Sequence, residues 1–326
     1  MKTARKVIIT EFGAPEVMKL EKVDLPDPAA GEIQIRQTAI GFNFIDVYQR
    51  KGIYPLPLPT GLGHEAAGVV EAVGPGVDLF KAGDRVAYMH AGLGAYSDYR
   101  NVAADRLVSI PDGVSDEQTA ALIFKGITAQ YLLRKTHAVK AGEIVLVHAA
   151  AGGVGQILCQ WAKGLGAFVI GTASSPEKCA AAKSAGADIA INYSKEDWPT
   201  TLLEATGGKK ANVVYDSVGK DTFLKSLDCA AQFGLVVLFG AASGPAPAID
   251  PELLNKKGCL YLTRPSVFPH NADTLVFREN AADLFAAISS GIIKSSIGAR
   301  FKLEEIADAH RAAESRITSG ATLIIP

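Results

Sequence analysis

The stretch Val145-Leu-Val-His-Ala-Ala-Ala-Gly-Gly-Val-Gly155 constrains this chain most. It reads as a buried strand entering a glycine-rich turn and then a helix. A helix N-terminus presents bare N–H groups and the positive end of a dipole, which suits a pyrophosphate. Glycines permit the tight turn and the close approach of the phosphate. Set against the spacing G-x-G-x-x-G, the residues are Ala150-x-Gly152-x-x-Gly155, with Gly153 between, so alanine replaces one glycine. The following segment places Val154, Ile157, Leu158, Trp161, Ala162 and Leu165 on one helical face. Gly164 and Gly166 close that helix, and a second apolar strand, Ala167–Thr172, completes a βαβ unit suited to a dinucleotide.

The end of the second strand bears on which dinucleotide. A site for NAD usually carries Asp or Glu there, about 20 residues past the glycines, on the ribose 2′-hydroxyl. Here the tip is Thr172-Ala-Ser-Ser-Pro-Glu-Lys178, with no carboxylate directly after the strand. Ser174 or Ser175 and Lys178 could bind a 2′-phosphate, which a carboxylate would repel. The expected cofactor is NADPH, bound at Gly152, Gly153, Val154, Ser174 and Lys178. Glu177 is the discordant residue, unless it lies on the first turn of the next helix and points away.

Composition excludes several classes. With 326 residues, 48% of them hydrophobic, the chain can build two cores. Thirty-three basic and 34 acidic residues leave a formal charge of −1, which argues against a nucleic-acid or anionic-membrane partner. The uncharged stretches Ile144–Ala162 and Cys229–Ile249 are broken by Gly, Gln, His or Pro and make poor membrane spans. No signal peptide is visible. Cys159, Cys179, Cys229 and Cys259 are widely spaced and form no C-x-x-C, which argues against a disulfide framework or cysteine zinc cluster. A reducing, cytoplasmic setting follows as the expectation.

Residues 1–124 read as a β-rich domain: short strands over Ile33–Ala39, Ala67–Val73, Arg85–Tyr88, Ala95–Val102 and Arg106–Ile110, separated by Gly and Pro. From 125 the pattern alternates. A helix from Thr128 precedes strands near Val145, Phe168, Ile189, Asn212, Leu235 and Cys259, with helices between them. This predicts an α/β fold, a doubly wound parallel sheet of six strands over 125–264. The tail 265–326 is too small for its own core and is expected to complete the first domain. That domain is then discontinuous, 1–124 with 265–326.

The chain resembles the medium-chain dehydrogenase/reductase superfamily, and within it the zinc-free NADPH:quinone oxidoreductases, the zeta-crystallin-like branch. The resemblance rests on Ala39-Ile-Gly-Phe-Asn-Phe-Ile-Asp46, Gly61-Leu-Gly-His-Glu-Ala-Ala-Gly-Val-Val70 and Ala82-Gly-Asp-Arg-Val86. The Gly turn, Val213-Val-Tyr-Asp-Ser-Val-Gly219 and Thr263-Arg-Pro-Ser266 complete it. It implies a GroES-like barrel for the first domain, a Rossmann second domain and a homodimer. Zinc-dependent members hold their metal with Cys, His and Cys. The matching positions here look like Asn43, His64 and Lys125, a set that does not satisfy Zn²⁺. No metal is expected, although Glu65 and Asp46 could contribute oxygens.

Without a metal Lewis acid, the chemistry expected is hydride transfer to an already electrophilic acceptor. A quinone fits; an enone or alkenal is the alternative substrate. Candidate groups to steady the reduced oxygen are Asn43, Asp46, Tyr48 and Tyr54. Tyr54 fits two roles, a donor to that oxygen or packing under the loop Ile53-Tyr-Pro-Leu-Pro57. By resemblance, Asn43, Thr128, Tyr193, Ser217, Phe239, Gly240, Ala241, Arg264, Ser266 and Arg316 join the cofactor contacts, with Tyr193 and Arg316 at the 2′-phosphate. A non-catalytic NADPH-binding structural or RNA-binding protein is the competing reading from another class, and the near-zero charge weighs against RNA.

Overall fold

The computed structural model describes residues 2–315 and 320–326. In chain order the elements are β1 Lys2–Ile9, β2 Lys19–Leu25, β3 Glu32–Gly41, α1 Phe44–Arg50, β4 Thr60–Gly61, β5 Glu65–Val73, β6 Arg85–Met89, β7 Tyr99–Ala103, β8 Leu107–Ser109 and α2 Asp116–Tyr131. There follow β9 Ile144–Val147, α3 Gly153–Gly164, β10 Phe168–Ala173, α4 Pro176–Ser184, β11 Ile189–Asn192, α5 Trp198–Ala205, β12 Ala211–Asp216, α6 Phe223–Cys229, β13 Ala230–Leu238, α7 Glu252–Lys256, β14 Tyr261–Thr263 and α8 Val267–His270. Last come α9 Thr274–Ser289, β15 Ile297–Lys302, α10 Ile306–Glu314 and β16 Ala321–Ile325. The chain divides into two compact units: Met1–Ile127 with Ala272–Ser289 and Ser295–Pro326, and Thr128–Asn271 with Ser290–Lys294.

The first unit is built on β3, whose ten residues pair with β5, β7 and β16 along their length. A seven-stranded sheet runs β15-β16-β3-β5-β6-β8 with β7 on β3, and a small sheet runs β2-β1-β4. Alternation along these strands turns Val7, Ile9, Ile33, Ile35, Val70, Val86 and Leu107 inward, where Ile306 and Ile324 from the tail join them. The tail thus supplies both a sheet strand and core residues.

The second unit is a parallel sheet in the order β11-β10-β9-β12-β13-β14. The order reverses between β9 and β12, and open α/β sheets bind ligands outside the strand C-termini at such a point. Its strands are nearly continuous apolar runs because helices cover both faces. Leu146, Ile170, Val214 and Val236 form the middle of one core layer, with Trp198, Leu202, Phe223 and Leu227 packed on it. The fold class read from the sequence is the one observed.

Four elements differ from that reading. The helix placed from Thr128 begins at Asp116, because Ser115 and Gln118 form a reciprocal cap: Gln118 N–H donates to Ser115 Oγ at 3.1 Å and Ser115 N–H to Gln118 Oε1 at 3.0 Å. The strand drawn over Ala95–Val102 covers only Tyr99–Ala103, since Ala95 and Tyr96 bond back to Gly63 and Leu62. Strands β2 and β15 hold no buried residue, so no apolar run marks them.

Candidate functional site

In the second unit the glycine turn lies between β9 and α3. Gly152 is the N-cap, no side chain caps the helix, and its first turn holds no acidic residue. The N–H groups and positive dipole end are therefore left to an anion. The alanine in the fingerprint is matched across the turn by Gly171: a Cβ added to Gly171 would stand 2.7 Å from the Ala150 methyl. At this contact Ala150 supplies the methyl and Gly171 leaves room for it. This is a cradle shaped for a pyrophosphate, and the residues fit a dinucleotide.

Ser174 and Tyr193 follow directly on β10 and β11, and Lys178 is on the first turn of α4. Tyr193 N–H donates to the Ala173 carbonyl, and the Ser194 hydroxyl donates to the Ser174 carbonyl at 3.0 Å. Ser174 and Lys178 are half-buried, and Tyr193 is exposed. Ser175 is spent differently from the reading that paired it with Ser174. It is the N-cap of α4, accepting the Lys178 N–H at 3.3 Å. Glu177 sits on the first helical turn, where a hydrogen bond from Ser175 holds its carboxyl below the usual range.

Ser217 and Gly219 follow β12, and Phe239, Gly240 and Ala241 follow β13. The two loops are laced together: Ala242 N–H donates to the Ser217 carbonyl at 3.1 Å and Ser243 N–H to Val218 at 2.9 Å. Beneath them lies Asp216, fully buried, a residue the sequence reading quoted within a motif but gave no role. Its carboxylate accepts from Val218 N–H, Gly219 N–H, Thr222 Oγ1 and Ser226 Oγ at 2.8–3.0 Å. Ser226 in turn meets His148 Nε2 at 3.1 Å, and His148 Nδ1 meets Thr172 Oγ1 at 2.8 Å. Burial pushes the His148 imidazole down from its ordinary value. Arg264 donates to the Leu238 carbonyl at 2.9 Å, Ser266 caps α8 through the Phe268 N–H, and Thr128 is buried on α2. Arg316 lies outside the described residues.

In the first unit Asn43 ends the β3–α1 turn, with Tyr48 one helical turn further and Tyr54 just beyond. Phe44, Tyr48 and Tyr54 make two successive edge-to-face ring contacts at 5.2 and 5.3 Å. Asn43 is buried, and its Nδ2 donates to Glu65 Oε1 at 2.7 Å. Lys125 Nζ reaches the same oxygen at 3.0 Å, and Phe124 N–H donates to Oε2 at 2.6 Å. Of the three residues aligned with metal positions, Asn43 and Lys125 thus converge on Glu65, while buried His64 turns to Gln49 Oε1 at 3.0 Å. Burial pushes the His64 imidazole down to about 3. Among the described residues no cluster of three or more His, Cys, Asp or Glu is placed to hold a metal. The Lys125 ammonium would repel one from this group.

Asp46 is placed less openly than the sequence reading had it. It is wholly buried, and Oδ2 accepts the Asn43 N–H at 2.9 Å and the Tyr96 hydroxyl at 2.6 Å, so it caps α1 and fixes the backbone that carries Asn43. Among the described residues Oδ1, also buried, has no hydrogen-bond partner. Burial pushes this carboxyl up from 3.8 to about 7, against the pull of Tyr96 and Asn43. The folded chain then keeps the Asp46 proton through a range in which the unfolded chain has released it. Its contribution to stability is full below about pH 4 and is lost as pH rises through about 7. Asp46→Asn keeps an acceptor and cannot ionise. The variant should gain on the parent by about 1.4 kcal/mol per pH unit across that window. Thermal melts of both proteins between about pH 5 and pH 8 measure the difference. His64 and His310, pushed down to about 3 by burial, act with the opposite sign but enter both proteins alike. A difference that does not change with pH would show Asp46 ionised in the fold.

Comparison with known proteins places this geometry. Residues 29–112 match the family described as alcohol dehydrogenase GroES-like domain, and 153–273 that described as zinc-binding dehydrogenase. A quinone oxidoreductase of Pseudomonas aeruginosa is 48% identical over 324 residues, covering 99% of this chain and 100% of that one. A 2-haloacrylate reductase of a Burkholderia species is 44% identical, covering 98% of each. The solved structure of Escherichia coli quinone oxidoreductase complexed with NADPH superposes with a TM-score of 0.96 at 48% identity, covering 99% of this chain and 100% of that one. The chain belongs to the quinone oxidoreductase family of the medium-chain dehydrogenase/reductase superfamily.

Proposed function

We propose that the chain is an NADPH-dependent quinone reductase that works without a metal. The observation that carries this reading is the full-length match, in sequence and backbone, to a quinone oxidoreductase solved with NADPH. Bound NADPH supplies a hydride from its nicotinamide. The α3 N-terminus, through Gly152, Gly153 and Val154, holds the pyrophosphate. Ser174, Lys178, Tyr193 and Arg316 take the 2′-phosphate. Thr128, Ser217, Phe239, Gly240, Ala241, Arg264 and Ser266 line the remainder. Asn43, Tyr48 and Tyr54 contact the substrate, and Asp46 supports Asn43 from behind. A homodimer in the cytoplasm belongs to the same reading; among the described residues no helix is long and apolar enough to cross a membrane.

The 44% identity to a 2-haloacrylate reductase favours a second reading, reduction of an activated C=C bond by the same hydride. Side-by-side turnover of 1,4-benzoquinone, 9,10-phenanthrenequinone, an alkenal and a 2-haloacrylate separates the two. NADPH should bind more than about ten-fold tighter than NADH, since paired charges on a phosphate are worth more than about 1.4 kcal/mol. Equal affinities in a fluorescence titration would overturn the 2′-phosphate assignment. Tight NADPH binding with no turnover of any acceptor would favour the non-catalytic protein instead.

A further inference from the structure

The Asn43–Glu65–Lys125 group is an arrangement that packing alone does not require. Glu65 is wholly buried and Lys125 only 7% exposed. Burying such a pair carries a desolvation penalty that an apolar pair of similar volume avoids. The backbone is shaped to admit it: a Cβ on Gly41 would overlap Glu65 Oε1 and the Ala120 carbonyl oxygen. Glu65 is saturated by three donors from two elements, the Asn43 amide and, on α2, the Phe124 N–H and the Lys125 ammonium. Lys125 is not. Its ammonium has three N–H groups, and among the described residues only Glu65 accepts from it. Thr128, assigned to the cofactor above, follows one turn later on the same continuous helix.

We propose that Glu65 is a positioning residue that fixes the Asn43 amide and the Lys125 ammonium, and that Lys125 stabilises the charge developing on the substrate oxygen. This rests on the quinone reductase reading. During reduction the quinone gains a hydride equivalent from bound NADPH, which is oxidised. The hydride forms an O–H bond at one carbonyl oxygen, both C=O π bonds give way to the aromatic ring, and the other oxygen becomes anionic. A solvent proton then completes the hydroquinone. Lys125 need only donate a hydrogen bond to that oxygen, from a cation already held in place and needing no reorganisation. Glu65 prevents the ammonium from swinging away and, by taking one Asn43 N–H, sets which way the amide faces.

The test compares Lys125→Met, Glu65→Gln and the double variant with the parent, using acceptors of graded strength from 1,4-benzoquinone to a tetramethyl-substituted benzoquinone. Lys125→Met leaves a buried carboxylate without its counter-ion, so loss of folding alone would lower its activity. The double variant removes both charges and separates the two effects. The expected result is a double variant with parental Tm and parental NADPH affinity, but with kcat at least ten-fold lower on the weak acceptor and reduced by a clearly smaller factor on 1,4-benzoquinone. Glu65→Gln should show the same ordering with a smaller loss. A folded double variant whose kcat falls equally for every acceptor, or not at all, would overturn the proposal. If the double variant does not fold, Lys125→Gln, which keeps a donor, should retain more weak-acceptor activity than Lys125→Met at matched folded fraction, and equal activity would overturn it. A parent with no NADPH–quinone turnover would instead defeat the quinone reductase reading.

Discussion

Gly155→Ala should destabilise the protein by up to about 3 kcal/mol, the range found for overpacked sites, and should weaken NADPH binding severely. A Cβ at this position would overlap the Ala149 carbonyl oxygen and stand 2.8 Å from Ala150 Cα. Both obstacles are backbone, so no side chain can turn aside. Relief requires α3 to slide away from β9, which carries the first-turn N–H groups off the place where the pyrophosphate binds. The mutation thus strikes stability and cofactor through one displacement. The Tm should fall by roughly 5–10 °C, and NADPH titrated below the transition should bind at least ten-fold more weakly. Gly164→Ala is the control, because its Cβ would meet only the Ile292 side chain, at 2.8 Å. That side chain can rotate, so the melting loss should be smaller and NADPH affinity unchanged. An unaltered Tm for Gly155→Ala would show that α3 and the turn are not in contact as described.

The sheet of the second unit was legible because each βαβ step is local. Apolar runs such as Val145–Val147 and the stripe Val154, Ile157, Leu158 and Trp161 declare strand and helix within a window of about a dozen residues. The barrel was legible only where its strands face the core, as in β3 and β5. β2 reads Lys-Leu-Glu-Lys-Val-Asp-Leu, and its pairing with β1 is written in cross-strand neighbours such as Lys6 and Glu21 rather than in any apolar run. The start of α2 was legible in principle, since Ser115-Asp-Glu-Gln118 is a capping box and went unread.

The sites divide along the same line. Ser174, Lys178 and the glycines follow from short-range order, strand then turn then helix. The Asn43–Glu65–Lys125 group joins residues 22 and 60 apart in sequence, and nothing local marks the partnership. What the sequence does hold is a lone carboxylate in His-Glu-Ala-Ala-Gly and a lone ammonium in Leu-Ile-Phe-Lys-Gly. Each is isolated within an apolar run, and a charge that enters a core must find an opposite charge there. Comparison with metal positions drew attention to His64 instead, whose neighbour Glu65 makes the contacts. Asp46 misled for a related reason: three residues after Asn43 suits both a substrate loop and a helix cap, and burial decides for the cap.

Asp216→Ala should cost about 4 kcal/mol, at the upper end of single-site effects, because it strips the acceptor from a closed network. The carboxylate ends β12 and gathers two backbone N–H groups and two hydroxyls, at 2.8–3.0 Å. Without it the Gly219 N–H is left buried and unsatisfied, a penalty of about 1–3 kcal/mol, with further losses at Thr222 and Ser226. The damage would travel by two routes. The loop holding Ser217 and Gly219 loses the anchor that shapes it against Gly240 and Ala241, so NADPH affinity should fall with stability. Ser226 loses one of its two acceptors and keeps only the Thr222 carbonyl, which loosens the Ser226–His148–Thr172 chain that joins α6 to the ends of β9 and β10. Asp216→Asn discriminates between charge and shape, since its amide oxygen can serve the loop N–H groups but its NH2 opposes the Ser226 and Thr222 hydroxyls. It should therefore lie between parent and Asp216→Ala in urea unfolding, and nearer the parent in NADPH affinity than in stability. If Asp216→Asn instead lost affinity and stability in equal measure with Asp216→Ala, the carboxylate would matter for its charge toward His148 rather than as the frame of the cofactor loop.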